Sequence, residues 1–111
     1  MTIDTLVNES RIVIDRPKGT RHPRFHSLIY PLDYGYLENT TSMDGGGIDI
    51  WQGSAVPATV EAIICTVDLR KRDSEMKLLI GCTTDEMRLV YEFHNQTEQM
   101  KGILIRRLPE P

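Results

Sequence analysis

Apolar residues fall in short runs separated by polar, glycine-rich or proline-rich breaks, which is the rhythm of a β-rich chain. The segment 11–16 (RIVIDR) carries three β-branched residues in a row and is bounded by Pro17, so it predicts a strand. Residues 17–26 hold Pro17, Gly19 and Pro23 among basic side chains and predict a loop without a hairpin. Tyr30 to Tyr36 mixes aromatics with Pro31 and Gly35, a pattern for irregular or short-strand structure. Asp44-Gly45-Gly46-Gly47 is the sharpest turn signal, and Ile48 to Trp51 predicts the strand that follows it.

The strongest strand signal is 59–69 (TVEAIICTVDL). It is joined to a second at 76–82 (MKLLIGC) by the polar connection Arg70 to Glu75, as in a hairpin. One helix is expected. Thr83 to Glu86 has the Ser/Thr-x-x-Glu form of a capping box; Met87, Val90 and Tyr91 share a face, and Asn95 ends the run. Residues 102–106 (GILIR) predict a last strand. Short strands with one late helix predict a mainly β (α+β) chain: a small barrel carrying a helix in its C-terminal half, as a single domain over 1–111.

Composition narrows the function. The chain has 111 residues, 40% of them hydrophobic, and a net charge of −3. That balance argues against an electrostatic grip on nucleic acid. No apolar run is long enough for a membrane span. The N-terminal segment MTIDTLVNES is polar and acidic, unlike a secretory signal. Cys65 and Cys82 read as reduced cysteines buried in strands of a cytoplasmic protein.

Three kinds of side chain suggest phosphate chemistry. Asp44, Asp49 and Asp68 lie near strand ends. Strand alternation alone would turn Asp49, between Ile48 and Ile50, to solvent. The glycine turn allows the other outcome, bringing Asp44 and Asp49 to one point, where carboxylates and water suit magnesium. Lys18, Arg21, Arg24, Lys71, Arg72 and Lys77 are candidate phosphate ligands, or simply solvated charges. Tyr30 and Tyr34 read either as phenol donors to phosphate or as half-buried aromatics.

Taken in order, Tyr30-Pro31-Leu32-Asp33-Tyr34-Gly35-Tyr36, Asn39-Thr40 and Asp44-Gly45-Gly46-Gly47-Ile48-Asp49 resemble the signature region of the family I inorganic pyrophosphatases. Ile12 to Gly19 is similar to that family's Val-x-Ile-Glu-Ile-Pro-Lys-Gly strand and turn, with Asp15 in place of Glu. Asp68 to Lys77 is similar to its acidic stretch ending in Asp-x-Lys. The resemblance implies an OB-like five-stranded barrel and magnesium-dependent hydrolysis of inorganic diphosphate. It implies metal ligands at Asp44, Asp49, Asp68 and one of Asp73 or Glu75, with Asp73 preferred. It implies catalytic roles for Tyr30 and Asp44, and phosphate contacts at Lys18, Arg24, Tyr34 and Lys77. It also implies a homo-oligomer.

Two departures stand out. Gly46 occupies the position of the family's middle aspartate, the group that helps turn a metal-bound water into a nucleophile. The family's late Tyr-Lys phosphate-binding pair is absent, and His94-Asn95-Gln96 takes its place. His94 reads either as a phosphate contact or as a residue capping helix carbonyls. Three functions therefore enter comparison: a diphosphate or phosphoanhydride hydrolase, a non-catalytic phosphate- or nucleotide-binding or protein-interaction module, and a purely structural role.

Overall fold

The computed structural model describes residues 1–108. Helix α1 (Ile3–Glu9) precedes five strands: β1 (Ile12–Arg16), β2 (Asp33–Leu37), β3 (Ile48–Gln52), β4 (Val60–Asp68) and β5 (Asp73–Ile80). Helix α2 (Thr84–His94) and strand β6 (Lys101–Arg106) complete the order. The strands build one sheet, ordered β1-β2-β3-β5-β4-β6. All pairings are antiparallel except β3 with β5.

The sheet has six strands and is open, with β1 and β6 at its edges, where a closed five-stranded barrel was expected. The additional strand is β2, formed in the segment that reads as irregular or short-strand structure and paired with both β1 and β3. The connection between β1 and β2, expected to lack a hairpin, folds back on itself through an Arg21–Ile29 bridge. Gly19 N–H donates to the Tyr30 carbonyl at 2.9 Å, and Tyr30 N–H to Thr20 at 2.8 Å. That compact return carries β1 to the outer side of β2, where Ile12 meets Leu37 in register.

Two small cores pack on the two faces of the sheet. On one, Tyr34, Trp51, Ile64 and Leu79 meet Met87, Val90 and Phe93 of α2, with Leu28, Tyr30 and Leu32 from the connection before β2. On the other, Leu37, Ile50, Val60, Leu78 and Ile80 gather around Val7 of α1. Helix α1 is an addition to the single helix expected. Thr2 caps it by accepting the Thr5 N–H, and Asp4 ties it to the sheet by accepting the Val60 N–H at 3.0 Å.

The late helix starts where the capping box placed it. Thr83 Oγ1 accepts from Glu86 N–H, and the Glu86 carboxylate accepts from Thr83 N–H. The hairpin strands differ from the expected bounds by one residue at each end of β4, and at both ends of β5, which stops at Ile80. β5 begins at Asp73 rather than 76, because the polar residues Asp73, Ser74 and Glu75 pair fully with β4. Both cysteines are free, but Cys65 is only half-buried and Cys82 lies in the turn after β5 rather than in a strand. No described helix is long and apolar enough to cross a membrane.

Candidate functional site

A cleft of about 480 Å³ opens on the α2 side of the sheet. Strand alternation builds it. Asp73, Glu75, Lys77 and Leu79 share one face of β5, and parallel pairing with β3 brings Asp49 and Trp51 beside them. Tyr34 lies opposite Trp51 on β2, and Arg16 opposite Tyr34 on β1, where a bulge between Ile14 and Arg16 shifts the register. Tyr30, Tyr34, Trp51 and Phe93 form an aromatic floor, with ring centroids 4.8 to 5.5 Å apart in successive contacts.

Lys77 is the buried centre of the site, 5% exposed. Its Nζ lies 2.9 Å from Glu75 and 3.3 Å from Asp49, and 5.4 Å from the centroid of the Tyr34 ring. Burial alone would lower its pKa. Tyr34, Asp49 and Glu75 more than offset that, so its pKa stays above the ordinary value and the ammonium is permanent at neutral pH. Burial pushes the Tyr34 phenol upward, so it remains protonated. The Tyr30 phenol is also raised, chiefly by burial. Because Tyr30 Oη accepts a hydrogen bond from Arg16, its own proton is left to donate elsewhere.

Two further acids line the cleft at the β4–β5 hairpin. Asp68 and Asp73 face each other in register across the β4–β5 hairpin, and both line the cleft. Asp68 Oδ1 accepts from the Lys71 and Arg70 N–H groups, each at 2.9 Å, and these bonds hold its pKa below the usual range. The Asp73 side chain has no hydrogen-bond or ion-pair partner among the described residues, whereas Glu75 is held by Lys77.

The candidates divide between places. Tyr30, Tyr34, Arg24, Lys77, Asp49, Asp68 and Asp73 all line the cleft, with Lys71 beside them. Asp44 and Lys18 do not. Asp44 curls over its own turn, accepting from Ser42 and from Gly46 N–H at 2.9 Å, which lowers its pKa. It lines a neighbouring groove with Met43, Ile48, Cys65 and Met76; Asp49, Ser74 and Glu75 stand in the wall between groove and cleft. Gly45, at φ +87°, lets the turn fold this way, so the backbone closes on Asp44 rather than swinging it toward Asp68. Lys18 is exposed, and its N–H is bound by Asp33 at 2.8 Å.

Among the described residues no three metal-ligating side chains converge on one point. A protein-only magnesium cage therefore does not fit. Magnesium is usually held by one or two carboxylates, with the rest of its shell from water and substrate phosphates. The facing pair Asp68 and Asp73, like charges opposed across a hairpin, fits that second arrangement.

Several polar cleft residues were not candidates, among them Arg16, His22 and Thr66. Arg16 stacks over Tyr30 and Tyr34, 5.7 Å from each centroid. Its place at the end of β1, next to Pro17, hides it, because the bulge between Ile14 and Arg16 that sets it opposite Tyr34 depends on pairing with β2. His22 and Thr66 also line the cleft. His94 does too, but as a core residue rather than a cap: its Nε2 accepts from the Trp51 indole at 3.1 Å. Burial, with Lys77 and His22 nearby, drops its pKa to about 3. The neutral ring therefore carries its proton on Nδ1, which is buried with no hydrogen-bond partner among the described residues.

No protein-family model and no curated protein matches the sequence. Solved structures do match. An inorganic pyrophosphatase from Helicobacter pylori superposes with a TM-score of 0.65 at 14% identity, covering 86% of this chain and 83% of that one. An inorganic pyrophosphatase from Coxiella burnetii gives 0.60 at 13% identity, covering 86% and 84%. The chain has a pyrophosphatase-like fold. The likeness is one of architecture, spanning most of both chains, and the pyrophosphatase-like sheet carries the mixed acidic and basic cleft on its α2 face.

Proposed function

We propose that the cleft binds inorganic diphosphate, or a related small phosphoanhydride, and hydrolyses it with magnesium. The observation that carries this reading is the mixed lining of one cleft, which gathers Arg16, Arg24, Lys77 and the Tyr30 hydroxyl together with the carboxylates Asp68 and Asp73. The basic groups match phosphate oxygens, with arginines suited to bidentate contact and the buried lysine acting as a point charge. Tyr30, neutral and with its proton free, donates without adding charge. Asp68 and Asp73 would hold magnesium that arrives with the phosphates. Bound there, the ion would make coordinated water a stronger nucleophile at neutral pH.

The test is phosphate release from diphosphate with and without magnesium, in the wild type, Asp49→Ala and Asp73→Asn. The Asp73 side chain has no hydrogen bond to lose among the described residues, and asparagine keeps the backbone pairing with β4, so the substitution should leave the fold intact. The reading expects metal-dependent release, abolished in Asp49→Ala and reduced about a hundredfold or more in Asp73→Asn. Equal release by all three, with or without metal, contradicts it.

A second reading is favoured by one observation. The turn places glycine at position 46 and turns Asp44 into the neighbouring groove, so no carboxylate from this turn enters the cleft. A missing general base costs about 10²–10⁴ in rate. On that reading the chain is a binding module. Magnesium and diphosphate together would then raise its melting temperature, with no phosphate released.

A further inference from the structure

His22 lines the cleft and has no part in the reading above. Its Nδ1 accepts the backbone N–H of Arg24 at 3.0 Å and that of Phe25 at 3.1 Å. A ring nitrogen that accepts carries no proton, so in the neutral ring the proton sits on Nε2. Turning the ring over would break both bonds, and packing opposes it. The imidazole lies parallel to Tyr30, with centroids 5.9 Å apart and planes 2° apart, and touches Phe25 and Phe93 at 5.0 and 6.4 Å. Burial, then the charges of Arg16, Arg24 and His26, lower its pKa, which keeps it neutral near pH 7. Nε2 has no hydrogen-bond partner among the described residues.

The ring is thus a donor of settled direction, braced by its own turn on one edge and left with an unused N–H on the other. Its neighbours on that wall, Arg16 and Arg24, are cationic, so the partner it suits is an oxygen that only accepts. We propose that His22 contacts the ligand directly, its Nε2–H donating to a non-bridging phosphate oxygen held beside Arg24. This rests on the reading of the cleft as a diphosphate site. It makes the turn 22–25 a single binding device, because the Arg24 backbone orients the histidine while the Arg24 side chain supplies charge.

The substitution that separates support from contact is His22→Asn. An asparagine Oδ1 reaches the same two backbone N–H groups, as in an Asx turn, but offers nothing in place of Nε2–H. Calorimetric titration of magnesium methylene diphosphonate, a diphosphate analogue that resists hydrolysis, into wild type and His22→Asn, alongside thermal melts, gives the comparison. The imidazole ¹H–¹⁵N resonances of the wild type are followed in the same titration. Expected are an unchanged melting temperature, an affinity about tenfold weaker in the variant, and a shift of the Nε2–H resonance on saturation. Equal affinities overturn the assignment while leaving the diphosphate reading in place, and so does an unmoved Nε2–H resonance at saturation. Absence of analogue binding by the wild type removes both. Should the variant fail to fold, the resonance decides alone.

Discussion

At the scale of single residues, Lys77 holds the site together. Its ammonium, almost wholly buried, joins two carboxylates from different strands, Asp49 and Glu75. Lys77→Met would fill similar space but leave both acids without their cation. Both keep access to water, which softens the penalty usual for breaking a buried pair. The expected cost is about 2 kcal/mol in urea denaturation, with loss of diphosphate binding measured by calorimetry. Gly35 makes a complementary case. A Cβ there would stand 1.8 Å from the Val13 carbonyl oxygen of β1. Gly35→Ala should cost at least about 3 kcal/mol or prevent folding, as a denaturation midpoint or soluble yield would report. Tyr30 and Tyr34 were legible as candidates because Pro31 and Gly35 argue against a helix face for a pair four residues apart. The reason for the glycine that follows was not, because it lies in a strand that is distant along the chain.

At the scale of elements, local signals carried furthest. Helix α2 announces itself with a capping box, and both reciprocal bonds form. Glu86 also accepts from Ser54 N–H and Oγ, fastening the helix start to the loop after β3. Thr83→Ala should therefore lower stability by about 1 kcal/mol, read as a shifted urea midpoint with an unchanged slope. Helix α1 was illegible for the opposite reason. It has seven residues and buries only Val7. What holds it is long-range: Asp4 binds Val60 N–H, and Arg107 reaches Asp4 at 2.8 Å. The Asp44 turn shows the same limit. The glycines foretell a tight turn, but its direction depends on Ser42 and Gly46, and it leads away from Asp68.

At the scale of the whole molecule, the two faces of the sheet are covered unequally, and the difference shows in acid. His94 is neutral, bonded to Trp51 and buried over the cleft-side core. Its pKa falls from 6.5 to about 3 on folding. Below pH 6.5 the unfolded chain takes up a proton that the native ring refuses, so stability falls as pH drops through that window. His22 shifts in the same direction. The loss from His94 should reach about 2 kcal/mol at pH 5 relative to pH 7. Asp4, Asp44, Asp68 and Glu86, all lowered, act only at more acid pH. Urea denaturation at the two pH values should show this loss in the wild type and a smaller one in His94→Gln. Strand-and-helix content was readable from periodicity. Closure was not, because the parallel β3–β5 pairing and the outer position of β1 are set by contacts across the sheet that no local pattern encodes.

These scales meet in one claim: a single cleft holds a diphosphate between the basic side chains around Lys77 and the facing acids Asp68 and Asp73. The most direct measurement is a crystal structure with magnesium and methylene diphosphonate, which has the shape of diphosphate but resists hydrolysis. The account predicts the analogue in this cleft, one phosphonate against Lys77 and Arg24, with the metal between its oxygens and Asp68 or Asp73. An analogue lodged in the Asp44–Met43 groove, or a cleft that stays empty at saturating ligand, would contradict it.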